Sequence, residues 1–243
     1  MNSNLRWTAL LLLAALIVVT LVVAEDSSEE DISAIAEHMH GHLDSVVAMK
    51  AAVISGNLAG VVRPAKWLGD HPRPSELPEA WANYEEEMRS NARRAAAAKN
   101  LETAAAAVSD IGRVCGECHI ASGFVVSFGY SKPPPADLEN TVTQMQRHLW
   151  ASDRLWAGLI GPSNGAWASG ASMLEEVDVK VEDITTDESL APLVVDIVER
   201  LRFIGERGRA TADGDGETRS ALYGEFLSQC ANCHSLTGGG PRY

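Results

Sequence analysis

Basic residues are scarce in this chain. Its 243 residues carry 20 Lys and Arg against 33 Asp and Glu, a formal charge of −13. That deficit argues against nucleic acid or anionic lipid as partner, since both call for clustered positive charge. It leaves a plain acidic surface, or a protein partner with a basic face drawn in by charge. Cysteine is scarcer still, with four in all and none outside two short clusters. Strand-like alternation is missing near both clusters, and the nine residues that follow His234 include no Met or His. Apolar residues, by contrast, make up 46 % of the chain. That is ample for a packed core, and the length allows one large or two small domains.

The two clusters are Gly112-Arg113-Val114-Cys115-Gly116-Glu117-Cys118-His119 and Cys230-Ala231-Asn232-Cys233-His234. Both read C-x-x-C-H, the attachment sequence of haem c. The spacing suits two thiols that add to the two vinyl groups of one porphyrin, with the next residue placing an imidazole on the iron as proximal ligand. A zinc site calls for two such pairs at closer spacing, or for a Cys pair with a spaced His pair. A redox dithiol calls for a βαβ setting. The chain is therefore expected to carry two covalently bound haem c groups, on Cys115, Cys118 and His119 and on Cys230, Cys233 and His234, with His119 and His234 on iron.

The N-terminus reads as a targeting segment. One basic residue, Arg6, precedes the apolar run Trp7–Ala24, and dense acidic charge from Glu25 to Asp31 ends it. A run of 18 residues is long for a signal core and short for a spanning helix. Cleavage near Ala24 and retention as a membrane anchor both fit, and the length favours the anchor. Either way the body is expected outside the cytoplasmic membrane, in the periplasm, where haem is attached to such motifs in bacteria.

Beyond the leader the pattern is helical. Ser28–Asp31 has capping-box spacing. Ile32, Ile35, Met39, His42, Val46, Met49 and Val53 then form one apolar stripe. Gly56-Asn57 is expected to end that helix, and Pro64 to interrupt the next, Leu58–Leu68. A third helix is expected from Pro78 to about Lys99, and a fourth, capped by Asn100, runs into the first C-x-x-C-H. Three prolines at Pro133–Pro135 mark a stiff linker. The second part repeats the first. Glu37–Leu43 corresponds to Thr143–Leu149 at an offset of 106, whereas the cysteine motifs are offset by 115, which leaves about nine extra residues within Glu175–Ser189. The stripe recurs as Leu138, Thr141, Met145, His148, Ser152, Leu155 and Leu159. A third helix from Pro192 and a last one over Glu217–His234 complete it. Asp213-Gly214-Asp215-Gly216 hints at a calcium loop but lacks the later ligands, so it reads as a turn. The expected fold is all-α: residues 1–24 a leader, 25–130 a first four-helix bundle, 131–137 a linker and 138–243 a second bundle, each bundle ending in its C-x-x-C-H.

A haem motif at the end of a four-helix unit, with no ligand after it, resembles the cytochrome c-prime family and its low-spin, Met-ligated relatives. Arg113, two before Cys115, is similar to that family's approach to the motif; Ser228 in the second unit departs from it. The resemblance covers residues 28–238 as two copies and implies that a distal residue comes from the first helix of each unit. Met39 and Met145 fit that place, on the stripe and in register, as iron ligands or as core. His42 and His148, three residues on, compete for it. An open distal face is the third option. His38, His40 and His71 have no counterparts and read as surface residues. No Arg-x-x-x-His arrangement of the kind a peroxidase needs lies near Met39. The expected function is transfer of single electrons between redox proteins, with a respiratory or photosynthetic membrane complex as one setting; a gas-binding protein is the alternative.

Overall fold

The computed structural model describes residues 33–75, 77–129, 131–135 and 140–241. The apolar segment Trp7–Ala24, the capping box and two members of the stripes, Ile32 and Leu138, lie outside them. The described residues are helical with no strand, so the fold is all-α. Helical backbone covers 33–54 (α1). The further helices are α2 (Leu58–Asp70), α3 (Ala82–Ala96) after a 3₁₀ turn at Glu79–Trp81, α4 (Leu101–Ser122), α5 (Thr141–Ile160), α6 (Asn164–Glu176), the short α7 (Val181–Ile184), α8 (Ala191–Ala210) and α9 (Gly216–Thr237). Among them, no helix is long and apolar enough to cross a membrane.

The chain divides into a small unit within Met1–Leu43 and Pro74–Leu77 and a large one from Asp44–Arg73 and Pro78–Tyr243. In the small unit His38 and His42 are buried, with ring centroids 4.1 Å apart. His38 therefore corrects its reading as a surface residue: four residues separate it from His42, so the two rings share one helix face. Met39 and Ile35 are half-buried there.

In the large unit the sequence repeat reappears as matched elements. The helices α2 and α6, each of 13 residues, begin 106 positions apart, behind the side-chain caps Asn57 and Ser163. The helices α4 and α9, each of 22 residues, begin 115 positions apart. They are capped by Asn100 and Asp215, and both end at a glycine with left-handed backbone, Gly123 and Gly238. The extra residues of the second copy form the loop around α7 and a longer α8. Pro64 does not interrupt α2. It removes one intrahelical bond, but Val61, Ala65 and Leu68 lie on one fully buried face, and that burial carries the helix through. Pro78 precedes the 3₁₀ turn, and α3 stops at Ala96, short of Lys99.

Packing places α4 at the centre, with α3 on one side and α9 on another. The pair α4–α9 runs antiparallel. Ser109 donates to the carbonyl of Ser220 at 2.6 Å, Gly216 approaches the side chain of Arg113, and Gly224 lies against Ala106. Further on, α5 packs on α6, α6 on α8, and α8 on α9. Val194, Ile197, Leu201 and Ile204 of α8 are buried as a stripe, as their spacing requires.

Candidate functional site

Each C-x-x-C-H occupies the last two turns of a helix. On α4 and α9 the two cysteines lie one turn apart on one side, and the histidine is four residues beyond the first of them, on the same face. All four thiols are free. Burial pushes Cys115 and Cys230 up to about 12, helped in each case by the second cysteine of the motif. Burial raises Cys118 too, with a contribution from Glu85, and it raises Cys233. A reactive dithiol depends on a lowered thiol pKa; these environments do the reverse.

The histidines are held by their Nδ1 atoms. His119 Nδ1 lies 2.7 Å from the carbonyl oxygen of Ile160, the last residue of α5. His234 Nδ1 lies 2.5 Å from that of Ile54, the last helical residue of α1. A carbonyl only accepts, so Nδ1 carries the proton in both rings, and in the neutral imidazole Nε2 then keeps its lone pair. That is the tautomer a metal-binding histidine needs, with its second nitrogen tied to a backbone oxygen. The carbonyls are available because the last turn of a helix leaves them without intrahelical partners.

His234 also faces a cavity of about 360 Å³, within the roughly 300–1,000 Å³ of small-molecule sites. Cys230, Cys233 and His234 line one side of it, and Met145 and His148 of α5 line it as well. The rest is mostly apolar, with Ile197 and Leu201 from α8 and Phe226 from α9, beside Thr141, Gln146 and Ser152. His148 is held well below its ordinary value, at about 4, chiefly by burial and then by the neighbouring His234 and Arg147. Its imidazole is therefore neutral at physiological pH. The structure thus brings five of the expected residues of the second copy together: Met145, His148, Cys230, Cys233 and His234.

Around the first motif, Arg113 pairs with Glu117 at 2.8 Å and with Glu87, while its counterpart Ser228 is buried and neutral. A Cβ at Gly116 would stand 2.3 Å from the carbonyl oxygen of Leu159, and one at Gly112 would meet the ring of Trp156 at 2.6 Å. The corresponding position in the second motif is Ala231, fully buried, with its carbonyl facing Gly56. The first x position of each motif, Gly116 and Ala231, is thus small where a distant helix end crosses it.

The Asp213–Gly216 segment is a turn. Asp213 accepts from Asn164 at 2.8 Å, and Asp215 caps α9 through Thr218. Sequence reasoning missed Ile54, Ile160, Gly116 and Arg219. The last is a buried guanidinium that donates to the carbonyls of Gly158 and Ala212 at 2.8 and 2.7 Å. The first three carried a signal, since Ile54 and Ile160 keep the 106 offset and Gly116 and Ala231 keep the 115 offset. Comparison with protein-family models, curated proteins and solved structures finds no match for this chain.

Proposed function

We propose that this chain is a dihaem c-type cytochrome that carries single electrons, built as two tandem four-helix bundles of the cytochrome c-prime kind. One observation carries the reading. His234 sits beside Cys230 and Cys233 on an apolar cavity, with Nδ1 spoken for and Nε2 left as a ligand atom. His119 repeats that tautomer beside Cys115 and Cys118. The residues present fit the group: two protonated thiols for thioether bonds, an oriented imidazole, and a mostly apolar wall for the macrocycle. A bound haem would supply an iron that cycles between ferric and ferrous states. The chain holds it, excludes water and sets its surroundings.

Met145 and His148 line the same cavity, which supports a filled distal position and with it electron transfer rather than gas binding. Met145 would be the residue opposite His234 that ligates a bound iron, because a thioether on an apolar wall costs little and would raise the reduction potential compared with a second imidazole. Met39 takes the equivalent place in the first copy by its register. The acidic surface favours partners with a basic docking face, and the leader favours export, in free or membrane-tethered form.

Purified protein is expected to contain two covalent haems per chain by haemochrome assay, falling to one in Cys230→Ser/Cys233→Ser. The ferric spectrum is expected to be low-spin with a far-red sulfur-to-iron band, diminished in Met145→Ala. Colourless protein overturns the haem reading. A low-spin spectrum without that band, altered by His148→Ala, transfers the ligand role to His148. High-spin iron that takes up carbon monoxide readily overturns electron transfer in favour of gas binding.

A further inference from the structure

The two Nδ1 contacts cross the repeat. His119 belongs to the first copy, yet its acceptor is Ile160, the end of the second copy's first helix. His234 belongs to the second copy, yet its acceptor is Ile54, the end of the first copy's first helix. Ile54 and Ile160 are 106 positions apart, the same offset as the stripes, so the exchange is reciprocal. The helix α5 therefore serves both centres. Met145 and His148 on its first turns line the cavity of His234, and its terminal carbonyl holds His119.

The surroundings are built for this crossing. Gly116 leaves room for the carbonyl of Leu159, one residue before the acceptor for His119. Gly56, with φ +71, turns the chain two residues after the acceptor for His234, and a Cβ there would meet Ser235 Oγ at 2.6 Å. Lys50, buried on α1, bonds Asp153 of α5 at 2.7 Å and pins the two first helices together. A helix C-terminus concentrates unpaired carbonyls and negative potential, so it is a natural acceptor for an imidazole N–H.

We propose that each half of the chain positions the proximal histidine of the other: the last carbonyl of α5 orients His119, and the last carbonyl of α1 orients His234. Ile54 and Ile160 are positioning residues acting through their backbone. An anchored Nδ1–H fixes the ring plane and makes Nε2 a more basic ligand, so neither iron site is complete without the opposite half. This deepens the haem reading and rests on it for its purpose, though the contacts are testable without haem.

The test uses the full chain, reduced if it carries iron, with ¹⁵N in histidine and ¹³C in the isoleucine carbonyls. Scalar coupling across the hydrogen bond is expected from His234 Nδ1 to the Ile54 carbonyl and from His119 Nδ1 to the Ile160 carbonyl. Protonation at Nε2 instead, or Nδ1–H signals without these couplings, overturns the proposal. In Gly56→Ala, exchange of the His234 Nδ1 proton is expected to quicken about fivefold or more, roughly the worth of one net hydrogen bond. That of His119 stays unchanged, and adding Ser235→Ala restores part of the protection. A Gly56→Ala effect on His119, or on neither ring, contradicts the crossed arrangement. Should Gly56→Ala not fold, the couplings in the unsubstituted chain decide alone. Absence of covalent porphyrin sinks the haem reading and leaves the coupling result standing, so the two failures are told apart.

Discussion

At the scale of single residues, the sharpest constraint is steric. Gly116 has no room for a side chain, because backbone of α5 fills the place a Cβ would take. Gly165, on the first turn of α6, has nothing within 4 Å of that place. Two helical glycines should therefore respond with opposite sign. Gly116→Val is expected to lower stability by about 2–3 kcal/mol, the upper range for overpacking, since the obstacle is main chain. Gly165→Ala is expected to raise it by up to about 1 kcal/mol, through helix propensity alone. Urea midpoints at constant slope read both. The two C-x-x-C-H motifs were legible because their spacing is itself the signal. Gly116 was not, because its reason lies on a helix distant in sequence, and only the match between Gly and Ala at equivalent positions hinted at it.

At the scale of elements, the two motif-bearing helices share a length but not a cap. Asn100 accepts from the Thr103 amide at 2.8 Å, as Asp215 does from that of Thr218. Asn100→Ala is expected to cost about 1 kcal/mol with no pH dependence of its own. Asp215 differs because it ionises. Its bonds from Thr218 hold the carboxyl below its ordinary value. The folded chain thus binds that proton less readily than the unfolded one. The contribution is complete above the ordinary carboxylate value and fades as pH falls through the lowered one. Asp215→Asn should leave stability near neutral pH little changed and flatten the acid limb of a melting-temperature profile below the ordinary carboxylate value of about 4. Most helices were readable from stripes and caps, Asn100 and Gly56 included, whereas Asn57, read only as part of a helix end, caps the helix that follows. Pro64 misled, since its local rule yields to the buried face of Val61, Ala65 and Leu68. The buried pair His38–His42 was hidden because periodicity places a histidine on a face without saying what covers it.

At the scale of the molecule, charge and topology make separate demands. With a net charge of −13, association with a basic redox partner is expected to slow steeply as salt rises, with little change in dissociation. Stopped-flow rates from low to physiological ionic strength measure this, and a flat response would remove charge as the steering force. The repeat was legible as two offsets, and so were its two motifs. That the copies exchange helix ends was not, because an offset records likeness between segments and not which segment touches which. The antiparallel register of α4 and α9 has its own consequence. Ser109 faces Ser220, so the two C-x-x-C-H motifs lie in opposite directions from that contact, with Cys115 and Cys230 roughly 24 Å apart along the helix axes at 1.5 Å of rise per residue. Tunnelling dies away exponentially over such a span. Under the proposed haem reading, a chain laid out this way would be less a cable than a bar with a socket at each end: two donors or acceptors could plug in at once, and each socket would fill and empty on its own clock.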